Sequence, residues 1–414
     1  MSPAAPVRRR AAAALIDLSV IIGGEVVGLI VGGSLLRAAG GGRIDTTAAT
    51  PGVAGAIIRA LLQAAIYLGP PVYLYVTWRR GASVGMRAMH CRLVDAQTQA
   101  PVTSTQVVLR LCGLWFSIVC VGAGLAWGLM RRDRRGWSDL FARTLVLHIA
   151  MPVWATESWR GWQPPPTWSP AHARVTTVPA ERAPWTWTDV LPVVVLLLPL
   201  SFGVEYVTVQ ALKWFLHGVA MATRRPLEAV GADITAYGAA FLMVLLFVKV
   251  RRHASLASLG LRRAPWRWLL AALPFASLAL VVTSITGRLS HSLFPNTPEN
   301  QCISIRGAYE GALWLAIVGV AVIAPVVEEI VFRGMVFGWL RGRTPLALAV
   351  VISAALFALE HIGFLQLTLF LPIFAMGVVL AFLYHHARSI WPTVLVHGTF
   401  NLLGVLVLFS APGC

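Results

Sequence analysis

Long apolar runs separated by short polar breaks dominate this chain. Three fall at roughly 12–36, 55–77 and 108–130, and seven more at roughly 190–212, 232–250, 267–287, 311–340, 345–364, 366–386 and 390–410. Most approach the roughly 20 residues that a helix needs to cross a bilayer core. None alternates polar and apolar positions as a lipid-facing barrel strand must. The pattern predicts an all-α fold: a polytopic transmembrane helical bundle of about ten membrane segments in two domains. Between the third and fourth runs the texture changes to "MPVWATESWRGWQPPPTWSPAHARVTTVPAERAPW". Its triple proline cannot continue a helix, and its tryptophans suit the headgroup level. The expected organisation is a membrane domain over 1–150, an interfacial linker over 151–188 and a second membrane domain over 189–414. The third run, "LCGLWFSIVCVGAGLAWGLM", is broken by glycines and reads either as one crossing or as a re-entrant hairpin.

Composition sharpens this picture. Hydrophobic residues make up 57% of the 414 and charged residues 12%, against about 25% charged in soluble domains. Lys and Arg number 34 against 17 Asp and Glu, a balance that first suggests nucleic acid. The arginines, however, sit at the ends of apolar runs (Arg8 to Arg10, Arg79 and Arg80, Arg131 to Arg135, Arg251 and Arg252, Arg262 and Arg263, Arg341 to Arg343). That placement marks cytoplasmic flanks of membrane helices and favours anionic lipid over nucleic acid. The first run follows basic residues but carries Asp17 and has no convincing cleavage site, so it reads as a retained membrane helix. The five cysteines are scattered, without metal-ligand or redox spacing.

Against this apolar background three polar motifs stand out in the second half. In "APVVEEIVFRG", Glu329 and Arg333 are four residues apart, so on a helix they face each other with Glu in the favourable N-terminal place. Glu328 points about 100° away. The doublet thus divides into one paired and one unpaired carboxylate, and an unpaired charge at membrane depth costs roughly 2.5–3.5 kcal/mol even by lenient insertion scales. In "FALEHIG", Phe357 and His361 share a face, and in "HGTFN" His397 and Asn401 do so on the last helix. The plain packing readings are a buried ion-pair network, a packed histidine and inter-helix hydrogen bonding.

Depth connects the three. A hairpin turning near 341–345 brings Glu328 and His361, each roughly 20–24 Å along its helix from the turn, to one level, and His397 lies about 13 Å inside Arg388. One carboxylate, two imidazoles and one carboxamide converging there suffice to activate a water and hold an oxyanion.

These motifs, of the forms EExxxR, FxxxH and HxxxN in that order, resemble the CPBP family of intramembrane proteases, which includes the CAAX prenyl endopeptidases and bacteriocin-processing or immunity proteins. The similarity covers roughly 190–410. It implies a glutamate-dependent intramembrane endopeptidase acting on a membrane-anchored peptide or protein in a bacterial cytoplasmic membrane. Glu328 is then the base that activates water and His361 helps to hold that water. His397 and Asn401 stabilise the oxyanion, and Glu329, Arg333 and Phe357 support the site. The implied cofactor is none. A zinc-protease version of the same family reading uses Glu328, His361 and His397 as ligands.

The first half resembles the RDD family, named for one arginine and two aspartates, over roughly 5–150. By position these are Arg10, Asp17 and Asp139. Asp17 is expected to pair with Arg10, about two turns away, or with an arginine of another segment, since charges within a membrane come paired. Two other functions stay open: an RDD-type membrane transporter, and a non-catalytic immunity or scaffold protein.

Overall fold

The computed structural model describes residues 4–40, 53–120, 123–130, 133–149, 183–294, 305–309, 311–361 and 367–410. The chain divides into two compact units, Met1–Val178 and Pro179–Cys414. Of the expected interfacial linker, 151–182 lies outside the described residues, as do Cys302 and Cys414.

In the first unit, α1 (Val7–Gly40) packs along α2 (Val53–Arg79). Side chains such as Leu15, Val27, Ile30 and Leu61 point outward. A helix apolar all round is unsuited to water and natural in lipid. After α2 come a short α3 (Val84–Ala88), strand β1 (Cys91–Asp95), α4 (Ser104–Val119), α5 (Ala123–Met130), α6 (Trp137–Ala142) and strand β2 (Thr144–His148). The two strands pair antiparallel, with Leu93 opposite Val146. Asp95 ends β1 by accepting the backbone N–H groups of Gln97 and Thr98 at 2.9 and 2.8 Å. Thr103 and Gln106 cap each other's backbone at the start of α4. A small core of Trp78, Met86, Cys91, Leu93, Val107 and Val146 closes the unit.

The glycine-rich third run is thus neither one crossing nor one continuous helix. It folds as the 16-residue α4 and the eight-residue α5, and α4 falls short of a bilayer. Among the cysteines, Cys91 and Cys112 are buried free thiols and Cys120 is exposed.

The second unit contains α7 (Trp187–Phe215), α8 (Met221–Arg251), α9 (Trp266–Leu293), α10 (Leu313–Arg341), α11 (Leu346–Glu360), α12 (Leu367–Ala387) and α13 (Trp391–Ser410). α7 bends by 42° between Leu197 and Pro199, where proline withholds a helical donor and crowds the preceding turn. Among the described residues seven helices are long and apolar enough to cross a membrane, or eight with bent α7 counted as one. The expected ten falls to this number because α4 and the 15-residue α11 are short. The protein is an integral, multi-pass, all-α membrane protein with, among the described residues, one two-stranded ribbon.

Two details amend the sequence reading. Trp185, expected at the headgroup level, is fully buried and donates its indole N–H to the Met335 carbonyl at 3.0 Å. Arg251 and Arg252, read as a lipid-facing flank, engage Asp189 at the start of α7, at 3.1 and 2.6 Å. They fasten the end of α8 beside the first turn of its neighbour.

Candidate active site

α10 carries the glutamate pair and is not a uniform α-helix. A turn of α-helix at Ala324–Glu328 is flanked by two wider segments, Ile317–Ile323 and Glu329–Phe337, with i→i+5 hydrogen bonding. Such widened turns recur at functional sites. Pro325 lies at the first junction. The N–H of Ala324 bonds to Gly319, so the next carbonyl, Val320, would need the N–H of residue 325, which proline lacks. Asn401 of α13 fills that place, donating its side-chain amide to Val320 at 2.8 Å. One turn earlier on α13, a Cβ on Gly398 would stand 2.8 Å from the Ala321 carbonyl. Glycine is what lets α13 approach the opened backbone of α10.

This close approach delivers His397. It is 1% exposed and its Nδ1 lies 3.1 Å from Glu329 Oε1. The same oxygen is 3.0 Å from Arg333, and both partners are sealed, at 0% and 1% exposure. The Arg333 guanidinium lies over the Phe357 ring at 4.2 Å. Glu329, Arg333 and Phe357 therefore form a dry support under His397, and Phe357 also meets the rings of both histidines edge-on.

Glu328 faces the other way. The Tyr237 hydroxyl of α8 donates to its Oε1 at 2.9 Å. Its Oε2 lies 3.7 Å from Nε2 of His361 and 3.7 Å from Nε2 of His397, and among the described residues it receives no hydrogen bond. A separation of 3.7 Å is too long for a direct bond. The outer nitrogens of both rings are already assigned by their partners. His361 Nδ1 lies 2.8 Å from the Phe357 carbonyl, an obligate acceptor, and His397 Nδ1 faces Glu329. With Nδ1 protonated, each ring turns Nε2 toward Glu328, as a lone pair when the ring is neutral and as a donor when it carries a second proton. Glu328 Oε2 and the two Nε2 atoms thus face one spot, where a water can give a proton to the carboxylate.

The same lone pairs have the donor chemistry of zinc. Among the described residues, however, no three His, Cys, Asp or Glu side chains are disposed to hold a metal ion.

Glu328, His361 and His397 therefore come together, with Glu329, Arg333 and Phe357 behind them, while Asn401 is engaged with backbone one turn along α13. Sequence reading missed Tyr237, which sits in a generic apolar helix with nothing in its spacing to mark it. A cleft of about 200 Å³ opens beside Glu328 and His361, bordered by Tyr237, Asp233, Glu360 and the bend of α7.

The first unit has its own polar cluster. Asp139 is fully buried between Arg10 of α1, at 2.5 Å, and Arg110 of α4. Arg110 also donates to Thr144 Oγ1 at 2.8 Å and lies over the Trp78 ring. Among the described residues Asp17 forms no ion pair with Arg10 or any other arginine. It accepts from the Tyr73 hydroxyl at 2.7 Å, from Ser83 at 2.5 Å and from the Gly85 N–H at 2.8 Å. Neutral donors satisfy this carboxylate because α3 brings its N-terminal turn against α1, leaving Arg10 for Asp139. A Cβ on Gly85 would collide with the Ala13 carbonyl. Gly85→Val is accordingly expected to separate α3 from α1 and destabilise the first unit by about 1–3 kcal/mol, seen as faster amide exchange in β1. Unchanged exchange would show that the contact at Asp17 is dispensable.

Residues 4–143 match the family model "RDD family", and residues 310–403 match "Type II CAAX prenyl endopeptidase Rce1-like". The chain is 29% identical over 130 residues to "Putative membrane peptidase YdiL" of Bacillus subtilis, covering 31% of this chain and 52% of that protein. It is 30% identical over 121 residues to "UPF0177 protein in abiGi 5'region" of Lactococcus lactis, covering 29% and 48%. The chain spans about half the length of the curated relatives it matches. No solved structure matches it. The chain thus joins a segment that matches the RDD family model, 4–143, to a segment that matches the Rce1-like model, 310–403, and the latter carries Glu328, His361 and His397.

Proposed function

We propose that the second unit is an intramembrane endopeptidase that hydrolyses a peptide bond of a membrane-associated substrate, of prenylated CAAX type, with water activated by Glu328. The observation that carries this reading is the bare Oε2 of Glu328 facing two imidazole nitrogens at 3.7 Å. Tyr237 fixes the other oxygen, so the carboxylate is oriented before substrate arrives.

A water resting against Glu328, His361 and His397 gives one proton to Glu328 as its oxygen attacks the scissile carbonyl carbon. The carbonyl π electrons move to oxygen, producing a tetrahedral oxyanion. His397, when it carries protons on both nitrogens, donates from Nε2 to that oxyanion, and the adjacent Glu329 carboxylate balances the imidazolium. Asn401 has a second amide hydrogen beyond the one given to Val320, and it is the further donor in this reading. The oxyanion then collapses, the C–N bond breaks, and the leaving amine takes the proton from Glu328. The buried position of Glu329 and Arg333 keeps the imidazole in one orientation.

The test is cleavage of farnesylated peptides by the purified full chain in lipid vesicles, read by mass spectrometry. Single His361→Ala and His397→Ala variants should each lose about 10²- to 10⁴-fold in rate. Exhaustive chelation should leave the wild-type rate unchanged, with no stoichiometric zinc in the protein. Wild-type rates in either histidine variant would overturn the assignment, and loss on chelation restored by zinc would replace the water reading with the metal one.

A further inference from the structure

The structure divides the arginines that flank the helices of the second unit. Arg251 and Arg252 are engaged with Asp189. Arg343 donates to the carbonyls of Trp339 and Trp185 at 3.1 and 3.0 Å and lies over the Trp339 ring. Arg341, the last residue of α10, is different: its Nε is sealed from solvent and has no acceptor among the described residues. Further cations from two other places in the chain stand around it. Arg262, in the turn between α8 and α9, and Arg388, directly after α12, both repel its charge. His385, in the last turn of α12, adjoins Arg341 and Arg388, and its Nδ1 is also buried without a partner among the described residues. The Tyr384 hydroxyl lies among the same three guanidinium groups. Hydrogen bonds to backbone, not counter-charges, hold these turns together. Arg262 Nε donates to the Arg388 carbonyl, Ser389 Oγ to the Arg262 carbonyl at 2.8 Å and the Ile390 N–H to the Gly260 carbonyl at 3.1 Å. Among the described residues neither Arg341 nor Arg262 forms an ion pair with a carboxylate. The carbonyl-bearing ends of α10 and α12 attract cations, yet they give Arg341 Nε no bond. Arg388 supplies a second, separate observation. Its φ is 57°, in the left-handed region where a helix ordinarily ends on glycine. An arginine held there at a backbone cost points to a side chain with a task.

We propose that Arg341, Arg262 and Arg388 bind the phosphate of an anionic phospholipid headgroup, with His385 and Tyr384 beside them. The placement selects lipid. α10 and α12 both end here, and both are long and apolar enough to cross a membrane, so the cluster lies where spanning helices reach the headgroups. Guanidinium groups match a phosphate with paired N–H donors, and basic pockets between transmembrane helices take anionic headgroups. A substrate carboxyl terminus does not reach this place. Arg341 follows Glu328 by 13 residues, roughly 15–20 Å of helix. Spanning that takes about five extended residues past the scissile bond, more than a CAAX tail contains. The headgroup brings the counter-charge that these side chains lack and fixes the depth of α10, the helix that carries Glu328. The proposal stands on binding alone and does not depend on the endopeptidase reading.

The experiment titrates the purified full chain in neutral detergent with short-chain phosphatidylglycerol, short-chain phosphatidylcholine or inorganic phosphate. Binding is read by native mass spectrometry and by melting temperature. Phosphatidylglycerol should bind about 10-fold tighter than phosphatidylcholine. The double variant Arg341→Gln, Arg388→Gln should weaken phosphatidylglycerol by about 20-fold and leave phosphatidylcholine unchanged. Arg341→Gln alone, which breaks no hydrogen bond at Nε, should weaken it by about 5-fold. A control pair with the same loss of charge at exposed arginines elsewhere, Arg8→Gln with Arg80→Gln, should bind like wild type. Without lipid, both cluster variants should melt at or above the wild-type temperature, because mutually repelling charges have been removed. Inorganic phosphate should not displace the lipid. Equal binding of the two lipids, or equal weakening by the control pair, overturns the site in favour of diffuse charge. Inorganic phosphate binding as tightly as phosphatidylglycerol overturns the lipid assignment. A lower lipid-free melting temperature in both cluster variants makes the arginines a structural clasp and overturns it as well.

Discussion

Glu328→Gln is expected to lower peptide cleavage by about 10²- to 10⁴-fold while leaving the protein folded. Glutamine has the size of glutamate and can still accept the Tyr237 hydroxyl, but it cannot take a proton from water. Its neutrality removes a charge whose Oε2 receives no hydrogen bond among the described residues, so melting should be unchanged or higher. The adjacent residue should respond in the opposite way. Glu329→Gln leaves Arg333, 1% exposed, without its counter-charge and weakens the hold on His397. Breaking a buried pair by removing one partner costs about 3–5 kcal/mol, so Glu329→Gln should lose stability and activity together. Side-by-side rates and melts in detergent separate a base from a structural carboxylate. Full activity in Glu328→Gln ends the assignment of the base. Equal destabilisation by both variants would make the doublet a packing device.

The division of this doublet was legible in the sequence because i, i+4 spacing needs only local geometry. The meeting of Glu328 with His361 was also legible, since both lie at similar distances from one turn. The widening of α10 was not. Proline at 325 flags a lost donor, but which carbonyl is left open depends on whether the turn is α or i→i+5, and only the packed structure decides that. Hence Asn401 read as a site residue before its bond to Val320 was visible. Tyr237 and Asp233 were hidden for a different reason. They lie on α8, and Tyr237 stands 91 residues before Glu328 with no pattern tying the two together. In the first half, Arg10, Asp17 and Asp139 were identified by position, and Asp17 was expected to pair with Arg10 or with an arginine of another segment. Long-range contacts reassign it: Arg110, indistinguishable from other flank arginines in sequence, takes Asp139, and three neutral donors take Asp17.

Removing the carboxylate between those two arginines is the second large effect. Asp139→Ala should destabilise the first unit by about 3–5 kcal/mol, because Arg110 remains buried with an uncompensated charge. The readout is hydrogen exchange at the β1 and β2 amides of the intact chain, which should quicken by about 10²- to 10³-fold. Adding Arg110→Met should recover part of the loss, since the double variant buries no orphan charge. The pH dependence has a fixed sign. Burial pushes the Asp139 carboxyl upward, but the Arg110 and Arg10 guanidinium groups outweigh it and hold it below the ordinary carboxylate value of 3.8. A carboxylate lowered on folding contributes its full stability above the ordinary value and loses it as pH falls toward the lower folded one. Protection of β1 and β2 should therefore be flat through neutral pH and decline in acid below about 4, and the acid decline should be shallower in Asp139→Ala. Exchange in Asp139→Ala indistinguishable from wild type, at neutral pH and in acid alike, would mean that the Arg10–Asp139–Arg110 cluster contributes nothing to holding the ribbon against the helices.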